Sequence, residues 1–115
     1  MPDEVEVLPT EWVTEEIIRH QFNESQLYEK AVSGEIVVHI KRSSHPDTPP
    51  QGEPVCTWSQ IAYYYDKNGK PLAVVHQYRR VDGSIGASGK PDPKRIFLAD
   101  KSLAVRNVRK IEKQE

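Results

Sequence analysis

Residues 55–80, VCTWSQIAYYYDKNGKPLAVVHQYRR, decide the fold. Two runs rich in β-branched and aromatic residues flank Asp66-Lys67-Asn68-Gly69. An Asn-Gly step accepts the positive φ angles of a tight hairpin turn. The segment therefore predicts two antiparallel strands, 55–65 and 72–80. With Asn68 and Gly69 as the turn, Tyr65 faces Leu72, Tyr63 faces Val74, Ile61 faces His76 and Ser59 faces Tyr78. Alternate strand residues share a face. These side chains thus lie on one surface, whose apolar end is the expected bed for a helix. On the other surface Trp58 stands across from Arg79, within reach of a cation–π contact.

Downstream, Asp82-Gly83 predicts a second tight turn and a short glycine-rich strand, Ile85 to Gly89. That register sets Arg80 opposite Ile85 and His76 opposite Gly89. Lys90-Pro91-Asp92-Pro93 breaks the strand, because proline brings no N–H to a ladder. Arg95 to Ala99 reads as a further short strand, and residues 103–109 as a last one. Upstream, Thr10 or Thr14 can cap a helix whose positive end suits Glu15 and Glu16. Val13, Ile17, Ile18 and Phe22 form its apolar stripe. Leu27/Ala31 and Tyr28/Val32 predict a second helical segment, capped by Ser25 and ended by Gly34. Ile36 to Ile40 is a β-branched strand.

The order predicts an α+β fold: an antiparallel sheet of about four to six strands, a β-meander, with N-terminal helix packed on one face. One domain is expected over 1–115, with a loose arm at 1–9, a mobile loop at 43–54 with four prolines, and a charged tail at 110–115. The expected core is Trp12, Ile17, Phe22, Leu27, Ile36, Val38, Ile61, Tyr63, Val74 and Phe97.

The net charge of −1 predicts no general affinity for polyanions, yet the charge is uneven along the chain. Residues 1–33 hold eight acids against two bases, and residues 67–115 hold twelve bases against five acids. The single cysteine, Cys56, excludes an internal disulfide and a cysteine-based zinc site, and reads as a packed thiol starting a strand. His20, His39, His45 and His76 fall at no usual ligand spacing, so neither metal nor cofactor is expected. No apolar run is long enough to span a bilayer or serve as a signal peptide, which makes the expectation cytoplasmic.

Candidate function centres on residues 76–95, where bases, a histidine and glycines crowd together. His76 is a candidate acid or base near neutral pH, and Tyr78 a candidate stacking or hydrogen-bonding group. Arg79, Arg80, Lys90, Lys94 and Arg95 are candidate phosphate ligands, and Gly86, Ser88 and Gly89 can present backbone N–H groups to an anion. The stretch GSIGASGKP is not a phosphate loop: its first spacing is one residue too long, and Pro91 stands where a Ser or Thr is required. Sheet recognition of RNA needs paired aromatics on an exposed face. Tyr63, Tyr64 and Tyr65 alternate faces, and core packing is their default role. The leading expectation is a small non-enzymatic binding domain that contacts a protein or a polyanion, nucleic acid included, through this basic hairpin. The alternative is a metal-independent phosphodiesterase using His76 with Arg79 and Arg80, and Tyr78 or Asp92 as second acid. A third reading is a structural or homo-oligomeric domain pairing through an edge strand.

Overall fold

The computed structural model describes residues 8–44, 52–86 and 89–106. Strand β1 (Thr10–Trp12) leads into helix α1 (Glu15–Glu24) and helix α2 (Leu27–Ser33). Strands β2 (Val37–Ser44), β3 (Trp58–Tyr65), β4 (Pro71–Arg79), β5 (Asp92–Phe97) and β6 (Ser102–Ala104) follow. Thr14 caps α1, its hydroxyl accepting from the Ile17 amide at 3.2 Å, with Glu15 and Glu16 in the positive first turn. Gln26, at φ 54°, breaks the helical run, and Gly34, at φ 86°, ends α2. Ser25 caps the C-terminus of α1 and not the start of α2.

The six strands form one sheet in the order β1-β6-β5-β4-β3-β2. β2 to β6 make the expected antiparallel meander. β1 pairs with β6 in parallel, so the sheet is mixed and not purely antiparallel. The cause is the crossover: α1 and α2 carry the chain from β1 across the sheet to β2 at the opposite edge.

The β3–β4 register is the one the Asn-Gly turn predicts, from Trp58↔Arg79 to Tyr64↔Ala73. A bulge then sets Tyr65 against Pro71 in place of Leu72. The helices, however, cover the other face. Ala62, Tyr64, Ala73, Val75, Ile96 and Leu103 are buried against Ile18, Phe22 and Leu27. The Phe22 and Tyr64 rings meet at 6.1 Å. Ala62 and Ala73 leave the room that a helix needs to approach, and Tyr64 and Val75 fill it. The opposite face, with Ile61, Tyr63, Val74, His76 and Tyr78, offers no such gap and would bury polar groups.

Phe22, Leu27 and Ile36 are core residues as expected. Trp12, Ile17 and Val38 are exposed, and Ile61, Tyr63, Val74 and Phe97 are half-buried on or beside the helix-free face. Cys56 is exposed in a turn at φ 71°, two residues before β3 begins. Among the described residues of 85–89 no strand is present; a single bridge, Arg79↔Ile85, stands there. The Asp82 carboxylate accepts from the Ser84 amide and hydroxyl, and Gly83 takes φ 91°, which shifts the turn by one residue. The next strand is β5, starting at Asp92, and the last is β6, with residues 107–109 outside the described ones. Residues 1–7 of the arm expected at 1–9, residues 45–51 of the loop expected at 43–54 and the tail at 110–115 also lie outside the described residues, and Ser43 and Ser44 end β2 instead of opening the loop. No described helix is long and apolar enough to cross a membrane.

The two faces separate in a stability measurement. Val75→Ala, on the helix side, is expected to cost about 1–3 kcal/mol, and its β4 neighbour Val74→Ala less than about 1 kcal/mol. Urea midpoints of the two variants check this; a larger loss at Val74 would reverse the faces.

Candidate functional site

The basic residues of the 76–95 segment do not gather at one place. Arg80 turns to Glu53, Nε to Oε1 at 2.9 Å, and the Glu53 side chain is only 5% exposed. Gly86 is buried beneath that carboxylate, where an added Cβ would meet Glu53 Oε1 at 2.5 Å. Its amide donates to the Tyr78 carbonyl at 2.7 Å. Gly86 thus serves close packing, and its N–H is already engaged. Lys90 pairs with Glu29 of α2 at 3.4 Å. Arg79 is exposed on the helix side opposite Trp58, beside a cavity of about 570 Å³ also lined by Ser43, Cys56, Gln60, Arg80 and Val81. Gly89 is exposed at φ 88°, and Ser88 lies outside the described residues.

Four of the candidates do share a surface. His76 and Tyr78 point to the helix-free face of β4, because alternation opposes them to Val75 and Gln77. Asp92, not Gly89, is the residue paired with His76. Lys94 reaches the Asp92 carboxylate at 2.9 Å. Arg95 pairs with Val74, and its guanidinium donates to the hydroxyls of Thr10 (3.2 Å) and Ser102 (2.7 Å).

Sequence reading missed the rest of this surface. Tyr63 and Tyr65 lie where the register puts them, with ring centroids 6.3 Å apart, but on a face the helices leave uncovered and not on the expected helix bed. His39 of β2 stands edge-on to Tyr65 at 5.7 Å. A bulge in β2 between Ile40 and Arg42 inserts Lys41, whose ammonium sits 5.5 Å from the Tyr63 ring and 6.0 Å from the Tyr65 ring. Arg42 pairs with Ile61 on the same face. At the far edge Arg106 stacks over Trp12 at 4.7 Å. The available signal was the alternation of the tyrosine run; the bulge that aims Lys41 leaves no mark in the sequence.

Within this face Ser59 Oγ and His76 Nε2 are 2.8 Å apart, and the His76 ring lies edge-on to Tyr78 at 4.7 Å. Burial holds the His76 pKa below its ordinary value of 6.5, the Lys94 charge lowers it further, and Asp92 opposes both. The neutral imidazole can accept a proton from a neighbouring hydroxyl. Arg79, on the opposite face, and Arg80, held by Glu53, do not stand with it. Among the described residues no group of three or more His, Cys, Asp or Glu is placed to hold a metal ion. No protein-family model matches the chain, and neither a curated protein nor a solved structure is significantly similar to it.

The His76 shift has a sign that can be read. Its lowered pKa means that the unfolded chain binds more protons as pH falls below 6.5. The stability it contributes is present above that value and is lost as pH falls through the native pKa. In an NMR titration His76 is expected to show a midpoint below 6.5, moved lower still by Asp92→Asn and back up by Lys94→Ala. A midpoint above 6.5 in the native protein would contradict this environment.

Proposed function

We propose that this protein is a binding module for a polyanion, with the helix-free face of the sheet as its binding surface. The observation that carries the reading is the segregation of charge between the two layers. The helices hold Glu15, Glu16, Glu24 and Glu29 against Arg19 and Lys30. The helix-free face and its rim gather Lys41, Arg42, Lys94, Arg95 and Arg106, and the Asp92 carboxylate at the start of β5 is shared between Lys94 (2.9 Å) and Arg19 of α1 (3.5 Å). A nearly neutral chain thereby presents one cationic side, and a local field of this kind attracts an anionic partner independently of net charge. The 76–95 segment contributes through His76, Tyr78, Lys94 and Arg95. Arg80 and Lys90 act in holding loop and helix in place.

The edge strand supports the same reading over self-association. Of the two edge strands, β2 is the longer, and it carries Lys41, Arg42 and a bulge, features that keep an edge from pairing with a second chain.

The test is titration with inorganic polyphosphate over a range of salt. Affinity is expected to fall steeply as salt rises. The double change Lys41→Ala and Arg42→Ala is expected to weaken binding about tenfold, the scale of two surface ion pairs at ~0.2–1 kcal/mol each. Arg79→Ala, on the other face, is expected to leave it unchanged. A loss at Arg79 with none at Lys41 and Arg42 would move the site to the helix side, and no binding at low salt would end the proposal.

A further inference from the structure

Resting on that reading, we infer that the polyanion is a single-stranded nucleic acid whose bases stack on Tyr63 and Tyr65. The rings of these residues lie on the face that the hydrophobic core does not use. Core packing accounts for Tyr64 and for neither neighbour. Residues two apart on a strand are separated by about 6.6 Å, so each ring has room for its own base. The rings are tilted by 31° to one another, and both residues are partly exposed.

The surroundings fit a strand of alternating bases and phosphates. Lys41 lies beside both rings, and Arg42 follows it on β2. Across the sheet stand His76 and Tyr78, then Arg95, whose described partners are hydroxyls and not a carboxylate. Trp12 with Arg106 closes the far edge. Aromatic platforms flanked by cations are the means by which proteins hold single strands with little sequence preference.

Lys41 already rests on the rings, so a base must displace it. An exposed cation–π contact is worth about 2–5-fold in affinity. Stacking of a base on an aromatic side chain is worth about 5–150-fold. The exchange favours the base, and the displaced ammonium remains next to the phosphate that accompanies it. A duplex keeps its base faces inside its own stack, so it gains the charge interaction alone.

The experiment uses three labelled DNA probes of about ten nucleotides: a thymidine strand, an abasic strand of equal charge, and a duplex. Binding to the whole protein is followed by fluorescence anisotropy at low and moderate salt. The thymidine strand is expected to bind about 6-fold or more tighter than the abasic strand: two stacked bases imply about 30-fold, less the roughly 5-fold lost with the Lys41 contact. Changing both Tyr63→Ala and Tyr65→Ala is expected to remove that advantage while leaving abasic binding in place. Changing both to Phe is expected to keep it, because the ring and not the hydroxyl does the stacking. Equal affinity for thymidine and abasic strands, or tighter binding of the duplex, would overturn this inference and leave the polyanion reading standing. Absence of binding to every probe at low salt would overturn both. The comparison of strands on the unaltered protein needs no variant to fold.

Discussion

Pairing of Tyr64 with Ala73 and of Ala62 with Val75 is the contact on which the rest of the structure depends. It places two small residues beside two large ones on the face that receives Ile18, Phe22 and Leu27. Because side chains alternate along a strand, the same pairing sends Ile61, Tyr63, Val74, His76 and Tyr78 to the other side. Core and candidate site are therefore one decision. A helix packed on one face makes the opposite face available, and the polar and aromatic residues found there follow from the register.

Two devices outside the hairpin complete the arrangement. The β2 bulge adds one residue at Lys41 and aims its ammonium over the tyrosines. The Arg80–Glu53 pair, with Gly86 packed beneath the carboxylate, holds the segment after β4 against the segment before β3. Removing one partner of a pair whose carboxylate is nearly enclosed would strand a charge away from water. This pair fits a structural role better than a phosphate-binding one.

Much of the framework was legible in the sequence, for local reasons. Asn68-Gly69 set the hairpin register, Thr14 the start of α1 and Gly34 the end of α2. What was not legible depended on distant partners. Summed hydrophobicity favours the face with Ile61, Tyr63 and Val74, whereas helix docking rewards the gaps left by Ala62 and Ala73. Pro91 and Pro93 argued against a strand at that point, yet Pro93 sits at a bulge in β5, beyond the reach of β6, where a sheet accepts proline. The cations of residues 76–95 were visible as charges, but Glu29 and Glu53, which engage Lys90 and Arg80, come from remote segments. Ser59 and His76 were assigned to the same face, and their 2.8 Å contact follows from that register.

The central claim is that the two faces of one sheet do different work. The most direct measurement follows the aromatic ring resonances of the tyrosines by NMR while a short single-stranded oligonucleotide is added. Tyr64, buried on the opposite face of the same strand, is the internal reference. Saturable shifts are expected for the rings of Tyr63 and Tyr65, with Tyr64 unmoved. Shifts confined to residues 80–91, or equal shifts at all three tyrosines, would contradict it.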